Sequence, residues 1–182
     1  MTRRLHLSRF GPHDAPLLVN LDADPAVVRY VHLGPFGPPP ADRYEAEVLP
    51  RFRADHGPAF GYWQVRPFVD NRPGPFAGWV FLRPVGAAKW FSQAPPELNL
   101  DPRTPELGYR LARRFWGRGY ATEAARAVFD RAATFGVRNA CAIRQVDNAG
   151  SGGVMRKLGL RDVRTFQLPG IPRRTVLAVG RP

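Results

Sequence analysis

The segment RRFWGRGYATEA, residues 113–124, combines residue types that bind phosphate groups. Gly117 and Gly119 lack Cβ atoms, so the main chain there can approach an anion closely. The residues that follow have helical spacing, and the first turn of a helix presents backbone N–H groups and the positive end of the helix dipole. Arg114 and Arg118 add positive charge. The segment therefore predicts a phosphate-binding loop at the start of a helix.

Three phosphate-binding motifs can be compared with this segment. The P-loop pattern G-x-x-x-x-G-K-[ST] is absent from the chain. The dinucleotide pattern G-x-G-x-x-G fails because Thr122 stands at the third glycine position, and the next predicted strand ends in Gln145 rather than in an acidic residue. The third pattern, [QR]-x-x-G-x-[GA], is matched by residues 114–119.

This third pattern resembles the pyrophosphate loop of the GNAT superfamily of N-acetyltransferases, which bind acetyl-CoA. Residues 148–151 and 157–160, NAGS and KLGL, resemble that family's N-x-x-S and K-L-G-F segments, and ELGYRL at 106–111 is similar to its fourth strand. RLHLSRF at 4–10 and DPAVVRYV at 24–31 resemble the Rim-type branch, which contains ribosomal-protein N-terminal acetyltransferases.

The resemblance implies a binding site for acetyl-CoA, without a metal ion. The pantetheine arm is expected beside the backbone of a splayed strand, where the N–H of Leu111 stabilises the developing oxyanion, and the pyrophosphate is expected at the glycine loop. The cofactor-binding residues implied in this way are Tyr109, Leu111, Ala112, Arg114, Gly117, Arg118, Gly119, Tyr120, Ala121, Asn148 and Ser151. Arg118 can equally be a solvated arginine.

The resemblance also implies two catalytic candidates. Ser151 is the candidate proton donor to the leaving thiolate, because Met155 stands where many relatives have a tyrosine. Glu106 is the candidate general base, acting directly or through a water. Each has a structural alternative: Ser151 can be a helix N-terminal hydroxyl and Glu106 a charged residue at a strand edge. Glu123, in the first turn of the phosphate-binding helix, is expected to be structural.

Hydrophobic periodicity predicts a single α/β domain over residues 1–182. Asp24 and Pro25 are typical of a helix start, residues 41–56 predict a helix interrupted near Pro50, and residues 60–85 predict a β-hairpin. Residues 34–40 predict a rigid loop. With the resemblance, the expectation is a mixed and mostly antiparallel sheet of seven strands, splayed at strands 4 and 5 and flanked by about four helices.

Composition limits the cellular setting and the partners. The chain has 182 residues and a net charge of +12, and its only lysines are Lys89 and Lys157. This charge favours anionic partners, although arginine-rich usage can also reflect genome composition. No apolar run approaches the length of a membrane span, the N-terminus has no secretory pattern, and the single Cys141 fits a reducing compartment. We therefore predict a cytoplasmic protein, and the resemblance implies a homodimer.

The resulting prediction is an acetyl-CoA-dependent N-acetyltransferase that acts on a primary amine. The Rim-type resemblance favours a protein or peptide N-terminus as acceptor, and a small-molecule amine such as an antibiotic or polyamine is the alternative. A CoA-sensing or nucleic-acid-binding module is the alternative from another class. The long segment 86–105 predicts an acceptor lid, in which Trp90 or Phe91 packs on the body and Glu97 faces the amine, with Asp101 adding to an acidic lip. A surface insertion without a role in the site is the alternative.

Overall fold

The computed structural model describes residues 2–31 and 38–181. Most of the loop predicted at 34–40, and also His32, lie outside the described residues. The rest of the chain forms one sheet with helices on both faces, which confirms the predicted mixed α/β class. Among the described residues, no helix is long and apolar enough to cross a membrane.

The sheet has the strand order β1-β2-β4-β5-β6-β8-β7, and the short strand β3 pairs with β2 beside this path. Every pairing is antiparallel except that of β5 with β6. The seven strands of the path correspond to the seven predicted. Their bounds are Leu5–Arg9 (β1), Gly61–Val69 (β2), Gly78–Pro84 (β4), Pro105–Leu111 (β5), Ala140–Gln145 (β6), Leu160–Phe166 (β7) and Thr175–Gly180 (β8), with Arg72–Pro73 as β3.

The β2–β4 hairpin and its short β3 arise from the predicted turn. Asp70 and Asn71 have φ values of 48° and 59°. Two consecutive residues in the left-handed region make the tight turn whose twist matches that of the flanking strands. Asparagine and aspartate tolerate this conformation better than other non-glycine residues, which is why the sequence signal was reliable.

Six α-helical segments flank the sheet: Ala15–Asp22 (α1), Pro25–Val28 (α2), Ala41–Arg43 (α3), Leu49–Arg53 (α4), Tyr120–Ala133 (α5) and Ala149–Lys157 (α6). Asp24 caps α2 by accepting a hydrogen bond from the N–H of Ala26, as predicted. A π-helical turn joins α3 to α4, where the N–H of Leu49 bonds to the carbonyl of Tyr44. Pro50 has no N–H to donate to the preceding turn, so the interruption falls where the sequence predicted it.

The two faces of the sheet carry separate apolar clusters. One cluster includes α5 and the side chains of Leu107 and Leu111 from β5. The other lies under α1–α4 and includes Trp79 and Phe81 from β4. Because side chains alternate along a strand, Glu106, Gly108 and Arg110 share the second face.

Segment 86–105 is more ordered than the irregular loop predicted. It contains three single 3₁₀ turns, at Val85–Ala87, Phe91–Gln93 and Pro96–Leu98. Trp90 and Phe91 pack against a third apolar cluster, which includes Phe166 and Leu177. The aromatic side chains therefore fix the segment to the body of the protein.

Candidate active site

The centre of the sheet is open between β5 and β6. These parallel strands share a single register pair, Glu106 with Cys141, and diverge beyond it. The N–H of Ala112 donates to the carbonyl of Ala77 at 2.8 Å. Successive residues of a strand point their N–H and C=O groups toward opposite edges. Because the N–H of Ala112 points toward β4, the N–H and C=O of Leu111 point into the opening. The predicted splay between the fourth and fifth strands of the path is therefore confirmed as a feature of the fold.

The same hydrogen-bond pattern bears on Ala112, a predicted cofactor contact. Its N–H donates to Ala77 and its carbonyl accepts from the N–H of Phe115 at 2.9 Å, so its backbone offers no free donor to a ligand in the opening. The carbonyl of Leu111 accepts from the indole Nε1 of Trp116 at 2.7 Å. Of Leu111 and Ala112, it is Leu111 that keeps a main-chain N–H facing the opening.

The opening leads to the glycine loop at the start of α5. Gly117 and Gly119 have φ values of 73° and 76°, a region that other residues rarely adopt. Apart from Gly117 itself and its two chain neighbours, no atom of the described residues lies within 4 Å of the position that a Cβ would take at Gly117. The first turn of α5, which begins at Tyr120, leaves N–H groups without intrahelical partners beside this open space. Such a cradle suits a phosphate group.

Two residues of the N-terminal segment anchor this loop, and the sequence did not single them out. Arg4 donates from Nη1 to the carbonyl of Arg118 at 3.0 Å and from Nε to Glu123 at 2.6 Å. Thr2 donates to the same carboxylate. Burial acts to raise the pKa of Glu123, but the hydrogen bonds from Thr2 and Arg4 outweigh it and lower the pKa. Glu123 thus ties β1 to α5, in agreement with the structural role expected for it.

The two arginines predicted to reach the phosphates are exposed beside the loop. The guanidinium of Arg114 lies 5.0 Å from the ring centroid of Phe115. The side chain of Arg118 makes no ion pair among the described residues. Both side chains remain available to a ligand with phosphate groups.

A cleft of about 810 Å³ continues from the opening toward α1–α4 and brings several predicted residues together. Its lining includes both catalytic candidates, Glu106 and Ser151, together with Tyr109 and Met155. The phosphate loop does not line it, which places the two catalytic candidates beyond the cradle rather than within it.

Ser151 is positioned by two partners. The side chain of Asn148 accepts from the N–H of Ser151 at 3.1 Å and caps α6. The hydroxyl of Tyr109 lies 3.1 Å from the Oγ of Ser151. Burial raises the pKa of Tyr109 to about 12, so its hydroxyl keeps its proton at neutral pH. The sequence identified only the backbone of Tyr109; the alternation of side chains in β5 is the signal that could have indicated its hydroxyl.

Glu106 is buried, with both carboxylate oxygens engaged. Arg83 forms an ion pair with Oε2 at 3.0 Å, and the indole of Trp90 donates to Oε1 at 2.8 Å. Burial raises the pKa of Glu106, and the two partners oppose this shift. The structural alternative for Glu106 was a position at a strand edge. Glu106 instead lies inside the protein, and its hydrogen bond from Trp90 links it to segment 86–105.

The acidic lip predicted in that segment does not form. Glu97 is exposed and is not among the described residues that line the cleft. Asp101 pairs with Arg103 at 2.8 Å. The sequence identified the anchoring aromatics, whereas Glu97 and Asp101 are not among the described residues that line the cleft.

Three buried polar atoms of the cleft lining have no hydrogen-bond partner among the described residues. They are Nε of Arg144, Oε1 of Gln145 and Oγ1 of Thr175. Gln145 and Thr175 are opposite each other in the β6–β8 ladder. Buried polar groups are normally paired, so these three atoms are exceptions within the wall of the cleft.

No group of three or more histidine, cysteine or acidic residues could hold a metal ion in the described part of the chain. Cys141 is buried, and burial raises the pKa of its thiol to about 12. A thiol in this state is a poor nucleophile. The chemistry of the cleft therefore depends on hydroxyl, carboxylate, guanidinium and main-chain groups.

Comparisons with known proteins agree with this geometry. The family model described as acetyltransferase (GNAT) domain matches residues 4–161. An Aspergillus fumigatus protein named FsC-acetyl coenzyme A-N(2)-transacetylase is 33% identical over 167 residues, which cover 91% of this chain and 66% of that protein. The chain thus spans about two thirds of the length of that relative.

Solved structures share the fold. A GNAT-family acetyltransferase from Bacillus anthracis has a TM-score of 0.73 at 20% identity, with 100% of this chain and 96% of that chain covered. The aminoglycoside acetyltransferase AAC(6')-Ib in complex with coenzyme A has a TM-score of 0.72 at 15% identity, with 97% and 94% covered. From the splayed strands, the glycine cradle and the family match together, the chain belongs to the GNAT acetyltransferase family.

Proposed function

We propose that this protein transfers an acetyl group from acetyl-CoA to a primary amine. The observation that carries the proposal is the opening between β5 and β6, which presents the N–H of Leu111 and ends at the cradle of Gly117 and Gly119. Acetyl-CoA, the acyl donor of the family, supplies the activated thioester. The remaining steps depend on groups of this chain.

The residues present fit such a donor in two places. Main-chain groups of Tyr109 and Leu111 face the opening and can pair with the amides of a pantetheine arm, as an added strand would. The N–H groups of Gly117, Gly119, Tyr120 and Ala121 suit a pyrophosphate, and the exposed side chains of Arg114 and Arg118 add positive charge. Asn148 contributes by holding Ser151 in place.

The transfer forms a C–N bond and breaks a C–S bond. The N–H of Leu111 can stabilise the negative charge that develops on the carbonyl oxygen. The sulfur leaves as a thiolate and takes a proton from Ser151. Tyr109 can return a proton to Ser151 across their 3.1 Å hydrogen bond and is itself reprotonated from solvent. The amine gives up one proton to solvent or to a base.

Glu106 remains our candidate base, acting through a water. Its position in the cleft supports this role. Its ion pair with Arg83 and its hydrogen bond from Trp90 support the alternative, in which it positions the segment 86–105. Glu106→Gln removes the charge and separates the two roles. If Glu106 is the base, the rising limb of the pH–rate profile flattens in this variant; if it only positions the segment, the shape of the profile stays the same.

Two acceptor classes follow from different observations. The volume of the cleft is in the range of small-molecule sites, which supports a small-molecule amine. The Rim-type motifs at 4–10 and 24–31 support a protein N-terminus. A cytoplasmic location and a homodimer belong to the same proposal, and light scattering after size-exclusion chromatography checks the oligomeric state.

Turnover of acetyl-CoA against a panel of amines and N-terminal peptides tests the proposal, with release of free thiol as the readout. We expect thiol release to depend on both the amine and the enzyme. Tight binding of acetyl-CoA without transfer to any amine or peptide would instead support a CoA-sensing module.

A further inference from the structure

The cleft beyond the opening carries an excess of positive charge. Among the described residues that line it, six are cationic and three are acidic. The cationic residues are Arg43, Arg51, Arg83, Lys89, Arg110 and Arg144. The acidic residues are Asp22, Glu47 and Glu106.

Each of the three carboxylates already has a cationic partner. Asp22 is buried, pairs with Arg110 and accepts from the hydroxyl of Tyr44 at 2.9 Å. Glu47 pairs with Arg43 at 2.6 Å. The third, Glu106, is held by Arg83 as described above. No carboxylate of the described lining is therefore left to bind a cationic acceptor.

Two of the cations have no carboxylate partner of their own among the described residues. Lys89 is exposed at the edge of the cleft, and Arg51 makes its hydrogen bond to the main-chain carbonyl of Glu47. Both act on the carboxylate of Glu47: its hydrogen bond with Arg43 is the main cause of its lowered pKa, and Lys89 and Arg51 add smaller contributions. Among the described residues that line the cleft, Arg43, Arg51 and Lys89 thus meet the single carboxylate of Glu47 at this edge, and Asp42, outside the lining, also acts on Arg43.

The aromatic wall holds the deeper guanidinium groups in place. Arg110 lies over the ring of Trp79 at 5.0 Å, and Arg83 lies over Phe81 at 4.6 Å. Cation–π contact and ion pairing together restrict both side chains. The positive charge is therefore a fixed property of this surface.

We propose that the acceptor is a small-molecule amine that also carries a carboxylate, and that the cations at the edge of the cleft bind this carboxylate. The inference rests on the proposed acetyl transfer. The same positive field disfavours a polycation such as spermine.

The field also acts on the reacting nitrogen. Nearby positive charge disfavours the ammonium form and so lowers the pKa of a bound amine. More of the acceptor is then in the neutral, nucleophilic form at a given pH. The carboxylate compensates for the repulsion that the ammonium form meets on entry, so both charges of the acceptor have a role.

The experiment compares amino acids with their primary amides as acceptors, with spermine as the polycation. Acetyl-CoA is saturating, and acceptors are compared at equal concentrations of free base, because amidation changes the amine pKa. We expect kcat/KM to favour the carboxylate-bearing member by at least about tenfold, and added NaCl to reduce this preference. A preference for the amides or for spermine would overturn the inference.

The two lysines of the chain provide matched variants. Lys89→Gln removes a charge at the edge of the cleft, and Lys157→Gln removes the same charge at the end of α6, outside the lining. We expect Lys89→Gln to raise the KM for the carboxylate acceptor about threefold, with kcat and the Kd for acetyl-CoA unchanged. Lys157→Gln is expected to behave as wild type. Equal effects of both variants would show that only overall charge matters and would overturn the assigned site.

A failure of the proposed function and a failure of the proposed acceptor class give different experimental results. If the protein binds acetyl-CoA but transfers the acetyl group to no acceptor, the proposed function is contradicted, and this inference with it. Transfer that prefers amides or spermine leaves the proposed function in place and contradicts the acceptor class alone.

Discussion

The residue at the start of α5 provides the sharpest test of the phosphate cradle. Gly119→Val places a branched side chain at a φ of 76°, beside the N–H groups that would hold a pyrophosphate. We expect the Kd for CoA, measured by calorimetry, to rise at least about tenfold, equivalent to about 1.4 kcal/mol.

The matched control for this variant lies at the other end of the same helix. Gly136 has a φ of 86°, and apart from its chain neighbours no atom of the described residues lies within 4 Å of its Cβ position, so Gly136→Val introduces similar backbone strain far from the loop. We expect its Kd for CoA to equal that of wild type. Equal losses in both variants would indicate general strain rather than a cradle.

The Tyr109–Ser151 pair is tested by its kinetics. We expect Ser151→Ala and Tyr109→Phe to lower kcat while leaving the Kd for acetyl-CoA nearly unchanged, because the hydroxyls act on the leaving sulfur. The double variant should lose little more than either single variant, since both residues belong to one proton path.

The raised pKa of Tyr109 adds a pH test for the same pair. Its value of about 12 means that the hydroxyl stays protonated throughout the assay range. We therefore expect titration of Tyr109 to cause no fall of kcat below about pH 10. The pH profiles of wild type and Tyr109→Phe should have the same shape in this range. Wild-type kcat in both single variants would make solvent the proton donor.

At the scale of residues, local motifs were more predictable than long-range contacts. Gly117, Gly119 and the Asn148–Ser151 cap follow from helix-end chemistry within a few positions. Arg4 and the hydroxyl of Tyr109 reach partners 119 and 42 positions away, respectively, so no local pattern identifies these partners. The backbone N–H and carbonyl of Ala112, a predicted cofactor contact, make main-chain hydrogen bonds within the fold.

Among the elements, the segment 86–105 is tested through one hydrogen bond. Trp90→Phe keeps an aromatic ring on the apolar cluster but removes the donor to Glu106. We expect the acceptor KM to rise up to about fivefold, because a lost hydrogen bond to a buried carboxylate loosens the acceptor side of the cleft. The Kd for acetyl-CoA should stay constant.

Trp116→Phe is the corresponding control on the side of the site where acetyl-CoA is proposed to bind. It removes an indole N–H from the carbonyl of Leu111, in the strand that faces the opening. We expect it to affect acetyl-CoA binding and to leave the acceptor KM unchanged. An unchanged acceptor KM in Trp90→Phe would remove this segment from the acceptor site.

Elements were predicted well where a turn or a proline marks their ends. The Asp70–Asn71 turn, the cap at Asp24 and the interruption at Pro50 each follow from a backbone preference of the residue itself. The direction of Glu97 could not be predicted, because three short 3₁₀ turns set it and each depends on packing against distant strands. The splay of β5 from β6 came from the family resemblance rather than from periodicity.

For the molecule as a whole, the net charge of +12 predicts non-specific binding of nucleic acid. We expect a fluorescent DNA duplex to bind weakly at about 50 mM salt and to be lost by about 200 mM, because such binding depends on counterion release. Acetyl transfer should persist at the higher salt. Sequence-selective binding that survives it would favour the nucleic-acid-binding alternative.

The single register pair between β5 and β6 makes the sheet two blocks, with β1, β2, β4 and β5 on one side and β6, β8 and β7 on the other. A donor lying in the opening would connect both blocks, as a missing strand would. Thermodynamic linkage then raises the free energy of unfolding by about 2.7 kcal/mol at a ligand concentration one hundred times Kd. The supply of acetyl-CoA would therefore also govern how long the folded chain resists degradation by cellular proteases.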